Sequence, residues 1–183
     1  MLERGPSDAV LFRCCLNLAG RGGARNNRSV DREHRIGVIS DTHGLLRPEA
    51  VAALQGSDLI LHAGDIGDRE ILTSLREIAP LVAVRGNNDK WATDIADDNV
   101  SEFGGLTIYL RHDLAGLDLD PRAAGFAAVV TGHSHQPRQF VKDGVLYFNP
   151  GSAGPRRFTL PIAVGKLLIR AGAITGELIV LEP

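Results

Sequence analysis

Apolar residues along the chain fall into short runs, and the runs alternate between two periods. Arg35-Ile36-Gly37-Val38-Ile39-Ser40 is β-branched and continuous, as a buried strand is. Residues 48–55 follow, with Pro48 placed for a first helical turn. Asp58 to His62 reads as a second strand. Residues 68–78 read as a second helix, with Ile71, Leu72, Leu75 and Ile78 at helical spacing and Pro80 as its stop. Leu81-Val82-Ala83-Val84 is a third strand. This β-α-β-α-β order with short connections predicts right-handed crossovers and a largely parallel sheet. Further strands are expected at 106–111, 126–131, 138–142 and 144–148, with a helix closing at 121–124. Residues 163–181 read as a hairpin turning near Ala171-Gly172. The later half looks more antiparallel, so a second sheet is expected.

Residues 1–34 show no such period. Six arginines, a Gly20-Arg21-Gly22-Gly23 stretch and Asn26-Asn27 give them the character of a poorly ordered extension, ahead of a single domain over 35–183. The run Ala9 to Leu16 imitates a secretory core, but Arg13 interrupts it, so a cytoplasmic location is expected. Cys14 and Cys15 are adjacent and poorly placed to bridge each other. No apolar run approaches the roughly 20 residues that span a bilayer. A formal net charge of −2 and 5% aromatic residues argue against a stable nucleic-acid complex. Arginine outnumbers lysine 17 to 3, which discourages reading each arginine as a phosphate binder.

The chemistry lies at the ends of the runs. Five of them close in residues of metal-ligand type: Asp41 and His43; Asp65; Asn87, Asn88 and Asp89; His112 and Asp113; His133 and His135. Open α/β sheets place ligand sites beyond the carboxyl ends of their strands, so if these strands lie in one sheet the five ends converge on one edge. Mixed imidazole and carboxylate donors suit Mn, Fe, Ni or Zn better than Ca or Mg. Seven candidate ligands (Asp41, His43, Asp65, Asn87, His112, His133 and His135) exceed what one ion takes. They suit two ions with Asp65 between them, the clamp used for in-line displacement at phosphorus. His62 reads as a core or supporting histidine, Asp89 as a loop-holding group and Asn149-Pro150-Gly151-Ser152 as a turn. Arg156 and Arg157 read as solvated surface, with phosphate contact as the alternative, and Trp91 as packing, a cover for the site or a surface for a base to stack on.

In order and spacing, Asp41-x-His43, Gly64-Asp65, Gly86-Asn87-x-Asp89, His112 and Gly132-His133-x-His135 resemble the calcineurin-like metallophosphoesterase superfamily. With Asn149-Pro150-Gly151-Ser152 they look like its small YfcE-type phosphodiesterase branch. The resemblance covers residues 35 to about 182. It implies a four-layer αββα sandwich of two mixed β-sheets flanked by helices. It also implies a first ion on Asp41, His43 and His135, a second on Asn87, His112 and His133, and Asp65 bridging, with Mn2+ the expected metal. The implied reaction is direct attack by a metal-bridging hydroxide on a small phosphate-ester substrate. Asn88 and Ser152 are the candidate substrate contacts, and Asp65 and Asn88 the candidate catalytic residues. Asn88 stands where many members have a histidine. It is no general acid, so good leaving groups and diesters are expected. Asp113 stands where a glycine is usual. The family is compatible with a homo-oligomer. One branch of the fold is a protein-binding scaffold in retromer trafficking, which is the rival reading.

Overall fold

The computed structural model describes residues 32–181. Residues 1–31, including Cys14 and Cys15, lie outside them. Strand β1 spans His34–Ile39, so regular structure begins one residue before the expected boundary. Pro48–Leu54 form α1, with Pro48 in the first turn. Leu59–His62 form β2. Helix α2, Arg69–Arg76, starts where the Asp68 carboxylate accepts from Glu70 N at 2.9 Å. Leu81–Ala83 form β3, and Asp98–Phe103 form β4. The remaining strands are β5 Leu106–Arg111, β6 Ala128–Val130, β7 Arg138–Lys142, β8 Val145–Asn149, β9 Ala163–Arg170 and β10 Ala173–Val180.

The strands form two five-stranded sheets, ordered β10-β9-β1-β2-β3 and β4-β5-β6-β8-β7. In the first, β1, β2 and β3 are parallel, as the β-α-β-α-β pattern requires, and the C-terminal hairpin adds antiparallel to β1. In the second, the central β5, β6 and β8 are parallel and the edge strands antiparallel. Both sheets are mixed.

Alternation along each strand divides the apolar residues between faces. Ile36, Val38, Leu61 and Leu167 of the first sheet meet Ile108, Leu110, Val130 and Phe148 of the second, making the central core. Ile39 and Ile60 point the other way, onto Leu54, Leu72 and Leu75 of the two helices. The outer face of the second sheet is covered by Phe126 and Leu117 on Tyr109, Val129 and Val145. Here the expected helix ending at 121–124 is instead a 3-10 turn at Leu114–Gly116 and a turn through 121–125. Asp118, Asp120 and Pro121 favour turn geometry over a continuous helix. The sequence reading missed β4 because Asp98, Asn99, Ser101 and Glu102 give its edge strand little apolar signal.

Phe148 shows how the two sheets close. It is 1% exposed, and a Cβ on Gly165 or Gly176 of the opposite sheet would run into its ring. Phe148→Ala should therefore cost about 3–5 kcal/mol, and Gly176→Ala about 1–3 kcal/mol, in urea unfolding. A Gly176→Ala protein as stable as the parent would contradict this packing.

Candidate active site

Asp41 and His43 follow β1, Asp65 follows β2, His112 follows β5, and His133 and His135 follow β6. The fold therefore brings both sheets' strand ends together. The peptide groups fasten the loops to one another: Asp41 N donates to Gly64 O at 3.0 Å, His43 N to Asp65 O at 2.9 Å, and Gly132 N to His112 O at 2.9 Å. A Cβ on Gly132 would overlap Ser40 Oγ, so only glycine lets the β6 loop lie against the β1 loop. Asp41, His43, Asp65, His133 and His135 all have positive φ, between 46° and 65°. Each such residue costs roughly 1–3 kcal/mol, a strain that collects at functional sites.

The side chains form two adjoining groups. Around Asp41, His135 Nε2 lies 3.3 Å from Oδ1, and His43 Nε2 lies 3.9 Å from Oδ1 and 3.2 Å from His135 Nε2. Around His133, Nδ1 lies 3.1 Å from Asn87 Oδ1 and 3.2 Å from His112 Nε2. Asp65 Oδ2 stands between the groups, 3.8 Å from His43 Nε2 and 3.4 Å from His112 Nε2. Metal–ligand bonds of roughly 2.0–2.2 Å put the donors of one ion roughly 3–3.5 Å apart; most pairs here fall in that range, and the two His43–carboxylate separations, 3.9 and 3.8 Å, are longer. Asp41, His43 and His135 can together hold a cation, as can Asp41, Asp65 and His112, with their ligand atoms within 4.8 Å of one another.

Two further observations test that fit. Asp41 Oδ1 is buried and has no hydrogen-bond partner, whereas Oδ2 accepts from Ser40 Oγ at 2.7 Å and His133 N at 3.1 Å. An orphaned carboxylate oxygen facing imidazole nitrogens has the character of a metal-ligand atom. His112 Nδ1 donates to Ala63 O at 2.7 Å, which leaves the Nε2 lone pair for a metal. The residues present fit a metal centre.

The electrostatics agree. Burial pushes the Asp41 carboxyl up to about 6, although Ser40 opposes the shift. Burial would raise Asp65 too, but the His112 ring and both Asn88 nitrogens outweigh it and hold Asp65 well below the usual carboxylate range. Asn88 donates from its backbone N to Asp65 Oδ1 at 2.9 Å and from Nδ2 to Oδ2 at 2.6 Å. Burial, with Arg157 and His43, pushes His135 down to about 4, and burial lowers His43. For His112, burial works downward, but Asp65, the Ala63 carbonyl and Asp41 prevail and raise it.

The supporting residues sit where their chemistry is used. Asp89 is fully buried and accepts from Ile66 N, Gly67 N and Gly86 N at 3.0, 2.9 and 2.8 Å, tying the third loop to the second. His62 is a satisfied core histidine, 2.9 Å from Thr42 Oγ1, and accepts from Gly64 N at 3.2 Å. Ser152 is buried and donates to Asp41 O at 3.0 Å. Trp91 packs under the Arg69 guanidinium, 5.2 Å away, outside the cluster. Arg157, read from the sequence as surface with phosphate contact as the alternative, is exposed and has Nη2 3.4 Å from His43 Nε2. Only its position after the Asn149–Ser152 turn hinted at this.

The chain belongs to the calcineurin-like phosphoesterase superfamily, whose domain matches residues 35–171. It is 40% identical over 130 residues to a probable metallophosphoesterase of Methanocaldococcus jannaschii, covering 64% of this chain and 67% of that one. Among solved structures, an archaeal phosphodiesterase superposes with a TM-score of 0.65 at 23% identity, covering 79% of this chain and 99% of its own. The E. coli phosphoesterase YfcE gives 0.58 at 21%, covering 81% and 100%. A zinc-complexed Vps29 of Entamoeba histolytica gives 0.61 at 22%, covering 81% and 99%.

Two outcomes follow for the metal-free protein. Asp89→Ala should lose at least ~3 kcal/mol of stability by calorimetry, because three buried N–H groups lose a charged acceptor. Metal binding must also drive the proton off Asp41. In calorimetric titrations with Mn2+ in buffers of different ionisation enthalpy, about one proton or more should be released at pH 5.5, and fewer at pH 8. Heats independent of buffer at pH 5.5 would contradict the geometry.

Proposed function

We propose that the chain is a two-metal phosphodiesterase. The observation that carries this reading is the position of Asp65 Oδ2, which faces His43 on one side and His112 on the other. Asp41, His43 and His135 would hold one ion, Asn87, His112 and His133 the other, and Asp65 would bridge. Two divalent ions held there would neutralise charge on the phosphoryl oxygens and make a water acidic enough to ionise near neutral pH. Mn2+ is the preferred metal on donor type, with Ni2+, Fe2+ and Zn2+ as alternatives.

In this reading the nucleophile is water. The hydroxyls nearest Asp41 are committed: Ser40 Oγ donates to Asp41 Oδ2, Thr42 Oγ1 to Ile66 O, and Ser152 Oγ to Asp41 O. Attack is direct in this reading and leaves no covalent enzyme intermediate. Asp65 orients the site by its two bonds from Asn88. Asn88 is an exposed amide that donates hydrogen bonds but supplies no proton, which favours esters whose alcohol leaves as a stable anion. Ser152 acts by fixing the Asp41 loop rather than by touching substrate. Arg157 adds a positive charge at the rim beside His43 and suits recognition of a phosphoryl oxygen. A cytoplasmic location and a small phosphate-ester substrate belong to the same proposal. No described helix is long and apolar enough to cross a membrane.

The rival reading, a protein-binding scaffold, draws on the fold shared with Vps29. Donor spacing around the buried Asp41, Asp65, His112 and His135 favours catalysis.

Chelator-stripped protein resupplied with single metals should hydrolyse bis(p-nitrophenyl) phosphate faster than p-nitrophenyl phosphate. Asp65→Ala should abolish this turnover, and Arg157→Ala should lower kcat/KM about tenfold or more. The rate should fall as pH drops below about 6, because the histidines must be neutral and Asp41 ionised to bind metal. Folded protein without turnover on any metal would shift the reading to the scaffold.

A further inference from the structure

Two strand edges lie one above the other on one flank of the sandwich. They are β10 of the first sheet and β7 of the second. A Cβ on Gly176 of β10 would meet the Gln139 carboxamide of β7, so the two edges are in register. The opposite flank is protected against further pairing, because β3 is three residues long and β4 carries Asp98 and Glu102. β10 runs for eight residues with a single charge, Glu177. Among the described residues nothing pairs with its outer edge.

Turn geometry decides which peptide groups on this flank are open. Ala171 and Gly172, both at positive φ, form a two-residue turn, which makes Arg170 and Ala173 a hydrogen-bonded pair. Alternation then aims the N–H and C=O groups of Ile174, Gly176, Leu178 and Val180 away from β9. Leu181 N, which donates to Ile162 O at 2.8 Å, obeys the same alternation. On β7 the turn Asp143-Gly144 makes Lys142 and Val145 the bonded pair, which leaves Gln139 and Val141 open.

β7 also overhangs β10. Val141 pairs with Leu146 and so points, as Leu146 does, toward the space between the sheets. It is nevertheless 53% exposed, because the first sheet ends at β10 and leaves it uncovered. The flank is therefore a step, and a step fits its own inverse. A two-fold axis along the strands, midway between the sheets, lays the partner's β7 beside β10 and the partner's β10 beside β7. β10 runs with β1, and β7 runs against β6. Since β1 and β6 both end at the metal-ligand cluster, both new pairings are antiparallel.

The charges select this arrangement. Glu177 shares the outer face of β10 with Ile179, which packs on the helix side. Arg138 and Lys142 share the outer face of β7 with Phe140, whose ring stacks on Tyr147. The two-fold brings these faces together, so Glu177 stands opposite or diagonal to the partner's Arg138 or the partner's Lys142. Pairing β10 with β10 would crowd two Glu177 carboxylates, and pairing β7 with β7 would crowd four cations. On the inner face, Val141 meets the partner's Val141 near the axis and closes the gap under the overhang.

We propose that two copies of this chain pair along this flank into a homodimer, with β10 of each beside β7 of the other. Each sheet then continues into a sheet of the partner. The proposal does not depend on the phosphodiesterase reading.

Sedimentation equilibrium of the full chain should show a dimer at roughly 100 μM. Glu177→Arg should raise its Kd about tenfold or more, as should Arg138→Glu with Lys142→Glu, because like charges then meet across both pairings. The three substitutions together should return the Kd close to that of the parent. All three residues are exposed, so circular dichroism should show the fold intact. Val141→Lys should also weaken the dimer, since a lysine on an edge strand opposes pairing. In the parent dimer the amides of Gln139, Val141, Gly176 and Leu178 should exchange slowly with deuterium. A monomer at 100 μM would overturn the proposal, and slow exchange of Gly176 and Leu178 in that monomer would assign the edge to another part of the chain. A dimer unaffected by Glu177→Arg and by Val141→Lys uses a different surface and would overturn it equally.

Discussion

Two carboxylates, Asp41 and Asp65, are buried at the seam of the two sheets, and among the described residues neither is paired with a lysine or arginine. A buried charge without a counter-ion is costly, so such a pair must be protonated or matched by a cation. The side chains themselves do some of each. Asp41 holds its proton to about pH 6, and Asp65 is kept ionised by Asn88 and His112. Three imidazoles, His43, His112 and His135, converge on these carboxylates and point to a metal as the partner. In this light the positive φ at five of the cluster's residues is a stored cost that metal binding would offset.

The rest of the fold serves that convergence. The central core packs the two sheets tightly enough for Phe148 to need glycines opposite it. The same closure brings the ends of β1, β2, β5 and β6 into one cluster. Peptide hydrogen bonds and the buried Asp89 carboxylate then hold the loops at fixed spacing. The catalytic demand is for donor atoms set in advance, and rigid strand ends meet it better than free loops do.

Much of this was legible in the sequence, because it depends on local order. The β-α-β-α-β pattern is a hydrophobic period interrupted by helix signals, and the metal-ligand residues repeat at strand ends. Both sheets, both helices and the grouping of Asp41, His43, Asp65, Asn87, His112, His133 and His135 follow from that. Other features depend on what lies opposite in space. The polar β4 carries little apolar signal because its outer face meets water. The segment at 113–125 curls into turns because its aspartates and Pro121 favour them. The Ser152 hydroxyl is spent on the Asp41 carbonyl, and Arg157 reaches back to His43. No spacing rule along the chain announces either contact.

The central claim is that two ions share Asp65, and anomalous diffraction from crystals grown with Mn2+ tests it most directly. The account predicts two anomalous peaks roughly 3.5–4 Å apart. One would be bound by Asp41, His43 and His135, the other by Asn87, His112 and His133, with Asp65 touching both. A single peak, or none within this cluster at saturating metal, would contradict it.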